Sequence, residues 1–121
     1  MAKTLLIVDD SASMRQLVSF TLRDAGYEVI AANNGKDALS KVDGAKIEMV
    51  ITDLNMPEMD GIEFIRQMRG KPGYKFLPIV MLTTESQEAK KQAGKQAGAS
   101  GWLVKPFQPE QLVGLVKKFV K

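Results

Sequence analysis

The feature that most constrains this chain is a five-fold alternation of short apolar runs with amphipathic stretches. The runs 4–8, 28–31, 48–52, 78–82 and 101–104 have the length of buried strands, and the third is rich in β-branched residues. Helical patterns follow each of them, over 12–25, 34–42, 61–69, 86–97 and 109–120. In the first helix Met14, Leu17, Val18 and Leu22 share a face and Gly26 stops the turn; Asn33 is a candidate cap for the second. Ile62, Ile65 and Met68 fall in register in the third, and Pro72 and Gly73 put a loop over 70–75. The fourth helix offers mostly alanine (Ala89, Ala93, Ala97) and contains Gly94, which predicts a weakly anchored, mobile element. The last carries Leu112, Val113, Val116, Phe119 and Val120. Strand–helix alternation of this kind predicts an α/β fold, a parallel sheet with helices on both faces.

The 121 residues fit one domain, 1–121, with no internal linker, repeat or low-complexity tract. Hydrophobic residues make up 45%, enough for a packed core. The chain has no cysteine and no histidine, which excludes disulfides, thiolate metal sites and imidazole chemistry. Any metal site must therefore be built from oxygen and would suit a hard cation. The apolar run 5–8 is too short and too soon followed by Asp9 and Asp10 to be a secretion signal, and no stretch approaches a membrane span. A cytoplasmic location is expected. The net charge is +3, but acids and bases are segregated. The segment 86–121 carries Lys90, Lys91, Lys95, Lys105, Lys117, Lys118 and Lys121 against Glu88 and Glu110. A face of this kind suits an acidic protein partner as well as water, and nucleic acid is not the expected ligand.

In open parallel sheets ligands bind beyond the carboxyl ends of the strands, where strand order reverses. Asp9 and Asp10 follow the first strand, Asp53 the third, Thr83 and Thr84 the fourth, and Lys105 the fifth. If strands one, three, four and five are neighbours, these side chains meet on one rim. Taken singly, each has a plainer reading: a helix N-terminal acidic pair, a loop aspartate, a solvated lysine. Together they supply three carboxylates, a hydroxyl and an ammonium. Crowded carboxylates repel and raise a pKa, and a divalent cation relieves the repulsion. A carboxylate can also attack phosphorus to form an acyl phosphate, with Lys105, Thr83 and backbone N–H groups meeting the charge of the transferring group. Without a histidine the chain must receive that group from another molecule.

The pieces Leu6-Ile-Val-Asp-Asp10, Asp53-Leu-Asn-Met-Pro57, Met59-Asp60-Gly61, Thr83 after an apolar strand, and Lys105-Pro106-Phe107 resemble the response-regulator receiver domains, and the resemblance spans the whole chain. It implies a flavodoxin-like (βα)5 fold, a five-stranded doubly wound sheet of order 2-1-3-4-5. It implies a Mg²⁺ ion, replaceable by Mn²⁺, on Asp10, Asp53 and the backbone carbonyl of Asn55, with Asp9 acting through water. Asp53 matches the phosphorylated residue and Lys105 the phosphate-binding lysine, whose peptide bond to Pro106 is usually cis in the family. Thr83 and Trp102 match the switch pair, and Asn55 and Glu85 the positions that tune self-dephosphorylation. A histidine kinase is the implied donor and a monomer the implied state. Because the chain stops after its fifth helix, the single-domain chemotaxis regulators are the expected branch, with the flagellar motor switch as a candidate target; a phosphorelay intermediate or phosphate sink is the alternative.

Two residues depart from the family pattern. Trp102 stands where Tyr or Phe is usual, and Thr84 where a smaller residue is common. The other readings fit less well. Phosphohydrolases on related architectures need a second aspartate where this chain has Asn55, and a flavodoxin-type carrier would not place acidic Asp9–Asp10 at its phosphate loop. A signal would leave through the helix 86–97, the strand holding Trp102 and the last helix, where the lysine excess lies.

Overall fold

The computed structural model describes residues 3–42, 46–84 and 88–120, with 88–90 described by their backbone alone. Glu85, Ser86, Lys121 and the side chains of Ala89 and Lys90 lie outside the described set. The strands are β1 (Thr4–Val8), β2 (Glu28–Ala32), β3 (Met49–Asp53), β4 (Ile79–Thr83) and β5 (Gly101–Val104). They alternate with α1 (Ala12–Asp24), α2 (Gly35–Val42), α3 (Gly61–Arg69), α4 (Glu88–Ala97) and α5 (Pro109–Phe119). All pairings are parallel and the order is β2-β1-β3-β4-β5, as expected from the family resemblance. No helix among the described residues is long and apolar enough to cross a membrane.

Side chains alternate across a strand, so each strand feeds two cores. Leu6, Val8, Val50, Ile79 and Met81 pack with Phe64, Ile65 and Met68 of α3, Ala38 and Val42 of α2, and Ala97 of α4. Leu5, Ile7, Met49, Ile51, Val80 and Leu82 pack with Val18 and Leu22 of α1 and Leu112 and Val116 of α5. Strands β3 and β4 are buried along their whole length, which is why their sequences read as continuous apolar runs rather than alternating ones.

Several boundaries differ from the expected ones. β3 and β4 begin and end one residue later, so Asp53 and Thr83 are strand residues, paired with Leu82 and Val104. β2 runs on to Ala32, and α1 and α5 end one residue earlier. Asn33 is not the cap of α2. Asn34 is: its Oδ1 accepts the N–H of Asp37 at 2.8 Å, while Asp37 Oδ2 accepts the N–H of Asn33 at 3.0 Å. Leu17 does not join the core face of α1; it is 50% exposed, and Ser19 takes a buried place instead. The α1 stripe therefore turns from Val18 and Leu22 toward Ser19, away from Leu17.

Candidate functional site

Strand order reverses between β1 and β3: one crossover leads from β1 to β2, and the next element of the sheet lies on the other side of β1. The register pairs Val8 with Thr52, so the next residues, Asp9 and Asp53, emerge side by side. Thr83 pairs with Val104, which puts Lys105 at the same rim, and the Lys105 N–H donates to the Thr83 carbonyl at 2.7 Å. Carboxylate oxygens of Asp9, Asp10 and Asp53 all lie within 4.8 Å of one another. Lys105 Nζ lies 3.3 Å from Asp9 Oδ2 and 3.3 Å from Asp53 Oδ1. One ammonium thus bridges two of the three carboxylates.

Asp9 is buried (2% exposed) and also accepts the N–H of Ser11 at 2.9 Å, while Asp10 is exposed. The first loop is fixed by Ser11, whose hydroxyl caps α1 by accepting the Met14 N–H, and by Arg15, which donates to the Asp9 carbonyl at 2.8 Å. Asp53 is 9% exposed. Its Oδ1 accepts the Leu54 N–H at 2.9 Å as well as meeting Lys105. Burial pushes the Asp53 carboxyl above its ordinary value; Lys105 pulls it back and Asp9 raises it again. The expectation from sequence was that crowding of carboxylates would do this. Loss of water is the larger cause, and Asp9 adds to it.

The loop after β3 is shaped by two backbone constraints. Gly61 opens α3 so close to β3 that a methyl group on it would overlap the Asp53 carbonyl oxygen and lie 3.0 Å from Leu54 Cα. Glu58 holds a positive φ of 68°, with the Met59 N–H donating to the Pro57 carbonyl at 2.7 Å. The motif 57–61 therefore sets the path of the loop carrying Asn55, which is exposed beside the rim. Asp60 caps α3 by accepting the Glu63 N–H at 2.8 Å. The Lys105–Pro106 peptide is cis. Thr83 is fully buried at the end of β4, Thr84 is exposed, and Trp102 is half-buried opposite Met81. Lys105 is turned into the carboxylates and is not part of a basic outer face. Glu85 lies outside the described residues.

The donor set fits a hard divalent cation: the converging atoms are carboxylate oxygens, their negative charge exceeds that of the single ammonium beside them, and Asp10 is open to solvent. One residue with structural weight was missed in the sequence. Arg69, at the end of α3, donates to the Gly98 carbonyl (2.7 and 3.2 Å), the Tyr74 carbonyl (2.9 Å) and the Leu77 carbonyl (2.5 Å). Nothing in its spacing distinguishes it from Arg66, which is exposed.

Comparison with known proteins agrees with this geometry. Residues 5–117 match the response regulator receiver domain family. The chain is 42% identical over 110 residues to chemotaxis protein CheY1 of Helicobacter pylori, covering 89% of each. It is 36% identical over 121 residues to the transcriptional regulatory protein PhoP of Bacillus subtilis, matching all of this chain but 50% of that one. Among solved structures, chemotaxis protein CheY4 of Vibrio cholerae superposes with a TM-score of 0.96 at 51% identity, covering 99% of this chain and 100% of the other.

Proposed function

We propose, on the premise that this chain belongs to the response regulator receiver domain family of two-component systems, that Asp53 is its phosphoacceptor and that it signals through the surface of α4, β5 and α5. The observation that carries the reading is the convergence of Asp9, Asp10 and Asp53 around Lys105 at the switch point of the sheet. The donor is a phosphohistidine on a partner kinase. An Asp53 oxygen forms the new bond to phosphorus as the phosphorus–nitrogen bond of the donor breaks, and the leaving imidazole keeps the electron pair and takes up a proton. Asp53 Oδ1 is already engaged by Lys105 and the Leu54 N–H, which leaves Oδ2 as the attacking atom.

Asp10 and Asp53, the Asn55 carbonyl and, through water, Asp9 would hold Mg²⁺ or Mn²⁺, which when bound neutralises charge on the transferring group. Lys105 moves from bridging two aspartates to holding a phosphoryl oxygen. Thr83 turns its hydroxyl toward another, and Trp102 follows. Asn55 and Glu85 set the lifetime of the phosphoryl group by orienting the attacking water. The protein thus catalyses its own phosphorylation and dephosphorylation.

The similarity to chemotaxis proteins supports chemotaxis over a phosphorelay intermediate, and a flagellar motor switch is the partner we propose. Lys91 and Lys95 on α4 contribute basic charge to the proposed output surface, and Lys90 precedes them in the sequence. Their replacement by glutamate should weaken partner binding and leave phosphorylation intact. The test of the site is Trp102 fluorescence during titration with Mg²⁺ and then beryllofluoride, an acyl-phosphate mimic. A Mg²⁺-dependent change that disappears in Asp53→Ala is expected. An unchanged response in Asp53→Ala would refute the assignment.

A further inference from the structure

Glycine is among the least favourable residues in a helix interior, yet Gly94 lies within α4 (Glu88–Ala97) and is buried. Its surroundings supply a reason. A methyl group built on Gly94 would sit 3.3 Å from Cζ3 and 3.8 Å from Cε3 of Trp102, and 3.0 Å from Sδ of Met81. The bare backbone of α4 therefore lies against the six-membered ring of the indole. Met81 is the β4 partner of Trp102 in the sheet register, so α4, β4 and β5 come together here. Thr83 stands two residues beyond Met81 on the same face of β4. Beside the ring a cavity of about 210 Å³ is lined by Lys91 and Lys95 of α4, Gly101 and Trp102 of β5, and Ala99 and Ser100 between them. The ring is thus closely approached by the helix and also borders open space.

We propose that Gly94 is a positioning residue, the seat on which the Trp102 ring rests in the unphosphorylated protein, and that this contact ties the position of α4 to that of the ring. The inference rests on the phosphoacceptor reading and adds to it the element that senses the ring. Trp102 and Gly94 form a matched pair, the larger ring accommodated by the missing side chain. When the ring leaves its seat, α4 loses its contact with β5 at the same step, and the helix that carries Lys91 and Lys95 is released to repack.

The test is a double-mutant cycle on the whole chain: wild type, Gly94→Ala, Trp102→Tyr and the double variant. Tyrosine lacks the outer ring that touches residue 94. Without metal, Gly94→Ala should lower the melting temperature by several degrees when Trp102 is present. In the Trp102→Tyr background the same change should lower it less, the remaining loss coming from the 3.0 Å approach to Met81 Sδ, which both backgrounds share. Gly94→Ala should also red-shift Trp102 emission in the metal-free protein. Titration calorimetry with Mg²⁺ and beryllofluoride should show binding tightened severalfold by Gly94→Ala, since a residue that favours only the resting state holds back the other. The two proteins carrying Trp102→Tyr should bind alike. Equal effects of Gly94→Ala in both backgrounds, in melting and in binding, would overturn the inference. Wild-type protein that binds no beryllofluoride would instead overturn the phosphoacceptor reading, and the melting cycle would still decide whether Gly94 seats the ring.

Discussion

At the scale of single residues, two aspartates carry opposite signs of pH dependence. Burial raises the pKa of Asp53, so its ionised form costs the folded state stability. That cost is absent below the unfolded value near about 3.9 and grows as pH rises through the folded value. Asp53→Asn should therefore raise the melting temperature of the metal-free protein at pH 7, with the gain vanishing toward acid pH. Asp37 behaves the other way. The Asn33 N–H, and then Lys41, hold its carboxyl below the ordinary value. Its contribution is complete above the unfolded pKa and is lost as pH falls through the folded one. Asp37→Asn should lower the melting temperature at neutral pH and have little effect in strong acid. The capping role of Asn34 was misplaced by one residue in the sequence because Asn33 and Asn34 have equal capping chemistry, and only the backbone path chooses between them. Gly61 has the clearest local reason: a side chain there would collide with the backbone of the residue proposed to be phosphorylated.

At the scale of elements, the sheet's free edge and its far corner are both held by cations on carbonyls. β2 is an outer strand, and its carbonyls at Val29 and Ala31 accept from Arg23 (3.3 Å) and Lys41 (2.8 Å). This occupies the groups through which an edge strand would pair with another chain. Arg23→Ala with Lys41→Ala should promote concentration-dependent self-association, read by sedimentation velocity. At the other end, Arg69 joins α3, the loop 70–77 and the turn at Gly98, whose φ is 112°. Arg69→Ala leaves three carbonyls without this donor and should cost about 2–3 kcal/mol, measured by urea unfolding with an unchanged slope. All ten elements were legible in the sequence by kind and order. Their ends were less so where a polar residue finishes a strand. Asp53 and Thr83 carry no apolar signal, and only pairing with Leu82 and Val104 makes them strand. Leu17 fitted the helical period but faces water, because three apolar positions suffice to define a stripe and the fourth can overshoot it. Gly94 read as a weakness in α4; its packing reason depends on Trp102, which belongs to another element and is visible only when β5 and α4 meet.

At the scale of the whole molecule, function follows from topology. A doubly wound parallel sheet brings the ends of β1 and β3 together at its switch point, and the neighbouring register delivers Thr83 and Lys105 to the same rim. Side chains far apart in sequence thus form one electrostatic unit, in which anionic oxygens outnumber the single ammonium among them. That imbalance is the physical basis of the proposed hard-cation site and of the proposed phosphoacceptor role of Asp53. The most direct measurement is the intact mass of the protein after incubation with acetyl phosphate, with and without Mg²⁺, followed by peptide mapping. A single added phosphoryl group that requires Mg²⁺, maps to the peptide holding Asp53 and is missing in Asp53→Asn is the predicted result. A phosphoryl group that forms equally in Asp53→Asn, or no group formed in the wild type with Mg²⁺ present, would contradict the account.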